Sequence, residues 1–161
     1  MKILDIGSGK LSEYGQPLQY ENVIHADTDK NSYHLEIVCD IHNLPFKRDS
    51  FNLIHCSHVL EHVNHPVDAV KELKRVSKKY VVIKVPNAVY YKATPESKEH
   101  IYSWNEFTLA NLVKKYFPYV QIASSHKLLL WEKNSNLRTI KRLLLSIILK
   151  SNELTATCRK K

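Results

Sequence analysis

Short runs of apolar residues, each closed by a polar or turn-forming residue, recur through the first half of the chain. Five of them predict strands at residues 2–6, 22–26, 36–39, 51–56 and 80–85. Apolar runs of about four to eight residues without strict alternation are typical of parallel strands covered on both faces. Pro86 ends the fifth run, because proline has no amide hydrogen to donate to a strand ladder.

Two stretches show instead the three- and four-residue spacing of an amphipathic helix. Their apolar positions are Val67, Val70, Leu73 and Val76 in the first, and Trp104, Phe107, Val113 and Phe117 in the second. Pro66 suits the first turn of the first helix, and Ser103 with Glu106 predicts a capping box for the second. Residues 119–123 and 127–131 predict two final strands, in a hairpin, and residues 136–150 predict a last helix.

Strands alternating with turns and helices in this order predict an open α/β sheet. Ligands of such sheets bind outside the carboxyl ends of the strands. Polar or glycine residues stand at the ends of the first four predicted strands, and these are Gly7 and Gly9, then Asp27, Asp40 and Ser57. The pattern therefore predicts one ligand site at that edge of the sheet.

The residue types at this edge suit a nucleotide-like ligand. Two glycines after a strand let the backbone turn sharply and approach a ligand closely. Asp27 follows them by about 20 residues, where an acid takes ribose hydroxyls in dinucleotide sites. Ser12 replaces the third glycine of the dinucleotide pattern, and each aspartate alone could simply cap a strand. Glycines and two acids in register on successive strands favour the binding site.

Composition narrows the class of protein. The chain has 161 residues, 43% of them hydrophobic and 25% charged, which fits one globular domain. Three cysteines without metal-like spacing predict a reduced, cytoplasmic protein. No apolar run approaches the roughly 20 residues that span a bilayer, and no signal peptide is recognisable.

The positive charge is concentrated near the end of the chain. Residues 134–161 hold seven basic and one acidic side chain, a charge of +6 out of the total +8. We therefore divide the chain into a domain at 1–133 and a basic amphipathic helix with a tail at 134–161. Such a helix can pack on its own sheet, form a homodimer or bind a partner subunit. Peripheral contact with an anionic membrane is a second interpretation of this helix, and nucleic-acid binding is the least favoured one.

Several stretches together resemble the class I S-adenosylmethionine-dependent methyltransferases. They are LDIGSGK, VIHADTD, VCDIHNLPF and FNLIHCSHVLEHV, and the nearest subgroup is the small-molecule type that includes the ubiquinone and menaquinone biosynthetic enzymes. The resemblance implies a Rossmann-like three-layer sandwich whose seven-stranded, mostly parallel sheet has its last strand antiparallel. It also implies S-adenosyl-L-methionine as the cofactor.

The resemblance assigns roles to individual residues. It implies contacts with the methionine part of the cofactor from Asp5, Gly7 and Gly9, with the ribose from Asp27, with the adenine from Asp40 and Ile41, and with the amino group and sulfonium from Cys56 and Ser57. His58 lies beside the expected methyl group, where it could act as a general base. The alternative, that His58 packs against or caps the next segment, stays open.

The stretch His58–Val59–Leu60–Glu61–His62 also spells a zinc-site pattern, HxxEH. Two histidines four apart would share one face of a helix. The methyltransferase subgroup carries a similar stretch without a metal, so we expect no catalytic metal here.

Two departures from the family matter for function. No helix precedes the first strand, and residues 28–35 are too few for a full crossover helix. The chain therefore resembles a minimal version without the N-terminal cover of the active site. We expect a methyltransferase acting on a small-molecule or lipid-like acceptor. The alternatives are a methyltransferase-like subunit acting through a partner, an RNA or protein methyltransferase, and a nicotinamide-dependent oxidoreductase.

Overall fold

Seven strands form one mixed sheet in the computed structural model, which describes residues 1–9, 18, 21–32, 35–89, 100–124 and 153–161. The strands are β1 (Ile3–Ile6), β2 (Val23–Asp27), β3 (Ile37–Val38), β4 (Phe51–Ser57), β5 (Ser77–Pro86), β6 (Tyr119–Ser124) and β7 (Glu153–Arg159). Their order across the sheet is β3-β2-β1-β4-β5-β7-β6. Strands β1 to β5 pair in parallel, and β7 is antiparallel to both neighbours. The predicted Rossmann-like sheet is thereby confirmed.

Alternate residues of the central strands face opposite sides of the sheet. One side carries the larger core, which includes Leu4, Ile54, Val81, Ile83 and Leu154, and both described helices contribute to it. The other side carries a smaller cluster of Ile3, Leu18, Leu53, Tyr80 and Val82. Burial on both sides explains why these strands are predominantly apolar.

The two described helices are α1 (Pro66–Val76) and α2 (Glu106–Lys114). Helix α1 starts with proline as predicted and buries Val70, Leu73 and Val76, whereas Val67 of the predicted apolar face is exposed. The predicted cap of α2 is wrong, because the N-cap is Asn105. Its side chain accepts a hydrogen bond from the Thr108 amide at 2.9 Å, and the Thr108 hydroxyl accepts one from the Asn105 amide at 3.0 Å. The capping box therefore consists of Asn105 and Thr108, two residues later in the chain than the predicted pair Ser103 and Glu106.

The seventh strand corrects the predicted domain boundary. The sequence places residues 153–159 in the basic tail, but in the structure they pair with β5 and β6 inside the sheet. Leu154, Ala156 and Cys158 alternate with two threonines in this strand, and only the leucine is strongly apolar and large. The hydrophobic signal of the strand in the sequence is therefore weak. The predicted strand at 127–131 and helix at 136–150 lie outside the described residues.

Candidate functional site

A cavity of about 720 Å³ opens at the carboxyl ends of the parallel strands. It is lined by six of the residues that the sequence singled out, namely Gly7, Gly9, Asp27, Asp40, Ile41 and His58. They come from the ends of four strands, and the parallel sheet brings those ends to one edge. Most of the strand-end residues predicted to form one ligand site therefore line a single cavity, and Ser57 does not line it.

Gly7 and Gly9, which follow β1, have backbone conformations that require glycine. Gly7 and Gly9 have φ angles of 74° and 59°, in the left-handed region that glycine adopts without steric cost. A Cβ atom at Gly7 would also lie only 2.2 Å from Cγ2 of Val59, which follows β4. Glycine at position 7 thus lets two loops close together on the same cavity.

Asp27 fixes this loop and still has capacity for a ligand. Its Oδ2 accepts a hydrogen bond from the Gly9 amide at 2.8 Å, and its Oδ1 accepts one from the Asp29 amide at 2.9 Å. A carboxylate has about four lone-pair sites, so two bonds leave room for two hydroxyl donors. This donor and acceptor chemistry fits the vicinal hydroxyls of a ribose.

Asp40 and His42 form a second polar group in the cavity wall. Oδ1 of Asp40 accepts hydrogen bonds from the His42 amide at 2.9 Å and from Nδ1 of His42 at 2.6 Å. These bonds hold the pKa of the Asp40 carboxyl below its usual range. His42 is not among the predicted site residues, and its only signal in the sequence is its position two residues after a strand-end aspartate.

Asp5 lies beneath the cavity and is 1% exposed. It is in register with His25 of β2 and His55 of β4, whose Nδ1 atoms lie 3.2 Å and 2.7 Å from its carboxylate oxygens. It also accepts a hydrogen bond from the Leu18 amide at 2.9 Å. Burial would raise the pKa of Asp5, but the bonds from His25, His55 and Leu18 outweigh it and hold that pKa below the usual range. Asp5 therefore braces three strands and the first loop.

Like Asp5, Cys56 and Ser57 are not among the described residues that line the cavity. The Cys56 side chain is fully buried, and burial raises the pKa of its thiol, so it has none of the character of a reactive cysteine. The carbonyl oxygen of Ser57 would lie 3.2 Å from a Cβ at Gly7, so this residue backs the glycine loop.

His58 is held between two carboxylates. Its Nε2 lies 2.8 Å from Oε1 of Glu153, and its Nδ1 lies 3.2 Å from Oε1 of Glu61. Burial disfavours the charged imidazolium, but the bond to Glu153 and the nearby Glu61 carboxylate prevail and raise the pKa of His58 to about 9. The backbone of His58 has φ 54°, a left-handed conformation that turns the chain away from β4.

Glu153 joins this site to the strand that the sequence did not predict. It is the first residue of β7, is 7% exposed, and forms a second ion pair with Lys84 of β5. Burying a carboxylate without cationic partners would be unfavourable, so Lys84 and His58 both stabilise it. No sequence motif pointed to Glu153, because its partners lie far away along the chain.

The sequence matches a family model described as a methyltransferase domain over residues 4–83. This range includes most of β1, all of β2 to β4 and α1, and most of β5, and hence every residue named above that lines the cavity. No curated protein sequence matches the chain significantly.

Solved structures share the fold across the chain at low sequence identity. An S-adenosylmethionine-dependent methyltransferase of Thermotoga maritima has a TM-score of 0.68 and 17% identity, covering 99% of this chain and 82% of its own. A chain from the Haloferax volcanii complex of the Trm112 methyltransferase activator with a methyltransferase has a TM-score of 0.65 and 12% identity, covering 99% and 81%. A methyltransferase of Archaeoglobus fulgidus has a TM-score of 0.61 and 19% identity, covering 99% and 86%.

No described helix is long and apolar enough to cross a membrane. The ubiquinone-type subgroup remains a prediction, whereas the wider resemblance is confirmed by the domain match and by the fold. The glycine loop, the acid at the end of β2 and the strand order agree with that match. The chain belongs to the class I S-adenosylmethionine-dependent methyltransferases.

Proposed function

We propose that the protein binds S-adenosylmethionine in this cavity and methylates a small-molecule or lipid-like acceptor. The cofactor, when bound, supplies a methyl group already activated by a sulfonium. The protein then mainly has to orient the two reactants and exclude water. A strong general base is not required for that task.

The proposed cofactor contacts follow the edge of the sheet. Asp27 takes the ribose hydroxyls, because its carboxylate retains acceptor capacity at the cavity wall. Asp40 and Ile41 flank the adenine with one polar and one apolar contact. Gly7 and Gly9 let the methionine portion lie close to the backbone, and Asp5 supports that loop from below.

The chemistry of the cavity wall carries the proposal for the acceptor. No lysine or arginine lines the cavity within the described part of the chain, and its volume falls in the range of about 300–1,000 Å³ usual for small-molecule sites. Val59 and Val63 add apolar surface beside His58 and His62. A polyanionic acceptor would be expected to meet basic side chains instead. The Thermotoga maritima neighbour is itself described as a possible histamine N-methyltransferase, a small-molecule enzyme.

His58 serves in this proposal as a positioning residue rather than a general base. Both of its ring nitrogens are directed at carboxylates, so neither offers a free lone pair to an acceptor proton. The residue instead ties the loop after β4 to the start of β7.

Methyl transfer to fractionated cell extract tests the acceptor class. The full chain is incubated with methyl-labelled S-adenosylmethionine and with separate small-molecule, lipid, RNA and protein fractions. We expect label in the small-molecule or lipid fraction, and an Asp27→Asn variant should abolish most of it at limiting cofactor. Label confined to RNA or protein would contradict the proposed acceptor class but not the methyltransferase activity.

Action through a partner subunit is a second candidate, favoured by exposed apolar side chains. Val89 and Phe107 are both 72% exposed, and Ile101 is 54% exposed. Isolated apolar residues are common on surfaces, but such residues also mark protein contacts. Activity of the purified chain that appears only after extract proteins are added back would support this candidate, and full activity without them would contradict it.

A further inference from the structure

Three potential metal ligands meet beside the cavity. The carboxylate of Glu61 and the imidazoles of His62 and His100 each offer one ligand atom, and these atoms all lie within 4.8 Å of one another. Glu61 and His62 belong to the turn after β4, whereas His100 precedes α2. Two distant segments of the chain therefore contribute to one cluster.

Backbone hydrogen bonds hold these two segments together. The amides of Ile101 and Tyr102 both donate to the carbonyl oxygen of Glu61, at 2.7 Å and 3.1 Å. The Tyr102 hydroxyl donates to the carbonyl oxygen of Asn64 at 3.1 Å. The rings of His62 and His100 consequently pack edge to face with centroids 4.7 Å apart. The cluster is thus built by the fold and does not depend on chance encounters of surface side chains.

The Glu61 carboxylate is buried without adequate partners. The residue is 1% exposed, and neither of its carboxylate oxygens accepts a hydrogen bond from any residue that the structure describes. Nδ1 of His58 lies 3.2 Å from Oε1, an ion-pair distance, which leaves Oε2 unsatisfied. A buried carboxylate oxygen without a hydrogen bond is unfavourable and calls for a cation.

We propose that Glu61, His62 and His100 bind a divalent transition-metal cation. Two imidazole nitrogens and one carboxylate oxygen form a donor set suited to Zn²⁺ and its neighbours in the first transition series. Three protein ligands leave at least one coordination position for water or another oxygen ligand. His62 also lines the cavity, so the cation would lie beside the part of the wall formed by Val59 and Val63.

This ligand set differs from the one that the HxxEH pattern suggests. Residues 58–62 form a bend and a turn, so His58 and His62 do not share a helical face. Both ring nitrogens of His58 are directed at carboxylates, and His100 takes its place in the cluster. The proposed site therefore uses a different ligand set from the HxxEH pattern, for which we expect no catalytic metal.

Titration of the full chain, without a histidine tag and after chelator treatment, tests the site. Calorimetry with Zn²⁺ and visible absorption with Co²⁺ are both measured without cofactor or acceptor, so their result is independent of the proposed function. We expect one ion per chain and a Co²⁺ spectrum typical of nitrogen and oxygen ligands. His62→Ala and His100→Ala should each weaken binding by about tenfold or more.

His65→Ala is the matched control, because His65 is an exposed imidazole near the same turn but outside the cluster. It should leave the affinity unchanged, and far-UV circular dichroism checks that all variants fold. Stoichiometric binding that is lost in both cluster variants supports the site. Absence of binding by the unmodified chain, or equal weakening by His65→Ala, would overturn the proposal even if a cluster variant failed to fold.

Discussion

His58, which directly follows β4, and Glu153, which opens β7, are 95 residues apart in sequence, yet their side chains meet at 2.8 Å. Glu153 also pairs with Lys84 on the neighbouring strand. The contact connects the wall of the cavity to the antiparallel strand of the sheet. Substitutions in β7 should therefore perturb the cavity wall.

Replacing Glu153 with glutamine should destabilise the protein strongly. The change keeps the shape of the side chain but leaves His58 and Lys84 without their shared carboxylate, and breaking a buried ion pair typically costs about 3–5 kcal/mol. Chemical denaturation measures the free energy of unfolding. The control is Asp68→Asn, which removes the exposed ion pair with Lys71 and should change stability little. Equal effects of the two substitutions would show that the Glu153 network is not structurally important.

The Asp27→Asn variant should bind S-adenosylmethionine about ten- to a hundredfold more weakly, since a hydrogen bond to a charged group contributes roughly 1.5–3 kcal/mol. Isothermal titration calorimetry measures the affinity. Asp29→Asn is the nearby control, because Asp29 caps the same turn but is not among the residues lining the cavity. Unchanged affinity in a folded Asp27→Asn protein would remove this carboxylate from the cofactor site.

Gly7 and Gly9 should differ in their tolerance of a side chain. Gly9→Ala meets no atom closer than 3.7 Å, so it should cost only the left-handed strain of about 1–2 kcal/mol. Gly7→Ala adds a contact of 2.2 Å with Val59 and should be clearly worse. Unfolding free energies of both variants, and of Gly7→Ala combined with Val59→Ala, check this order. If the second substitution restores nothing, the clash is not the cause.

The free energy of unfolding should be highest between about pH 4 and pH 6.5 and should fall on either side. The buried pair of Asp5 and His25 accounts for this, because the two groups titrate in opposite directions. The pKa of Asp5, which faces His25 and His55, is held low, so its contribution is present above its unfolded pKa of about 3.9 and is lost on acidification. The hydrogen bond to Asp5 leads the causes that raise the pKa of His25, which also faces Glu36. The contribution of His25 to stability is present below its unfolded pKa of about 6.5 and is lost as the pH rises through its higher pKa in the folded protein.

The Asp5→Asn variant tests this account of the pH dependence. Unfolding free energies from pH 3 to pH 9 should show a flatter profile than that of the unmodified protein, together with a loss at pH 6 of about 3–5 kcal/mol for breaking a buried pair. An unchanged profile would mean that other groups govern the pH dependence. Glu36→Gln, which removes the exposed partner of His25, serves as a milder comparison.

The sequence by itself determined the parallel part of the sheet and the edge of the sheet where the cavity lies. Apolar runs covered on both faces leave a local signal, and glycines or aspartates after them mark the strand ends. Gly7, Gly9, Asp27 and Asp40 accordingly line the observed cavity. These features could be predicted because each depends on residues close together in the chain.

Only the tertiary structure decided which distant side chains meet. Asp5 proved to be a buried brace because β1 lies between β2 and β4, which places His25 and His55 beside it. Glu153 reached His58 because β7 inserts between β5 and β6. His100 reached His62 through backbone hydrogen bonds to Glu61. Such pairings depend on strand order and chain reversal, and neither leaves a periodic pattern in a single sequence.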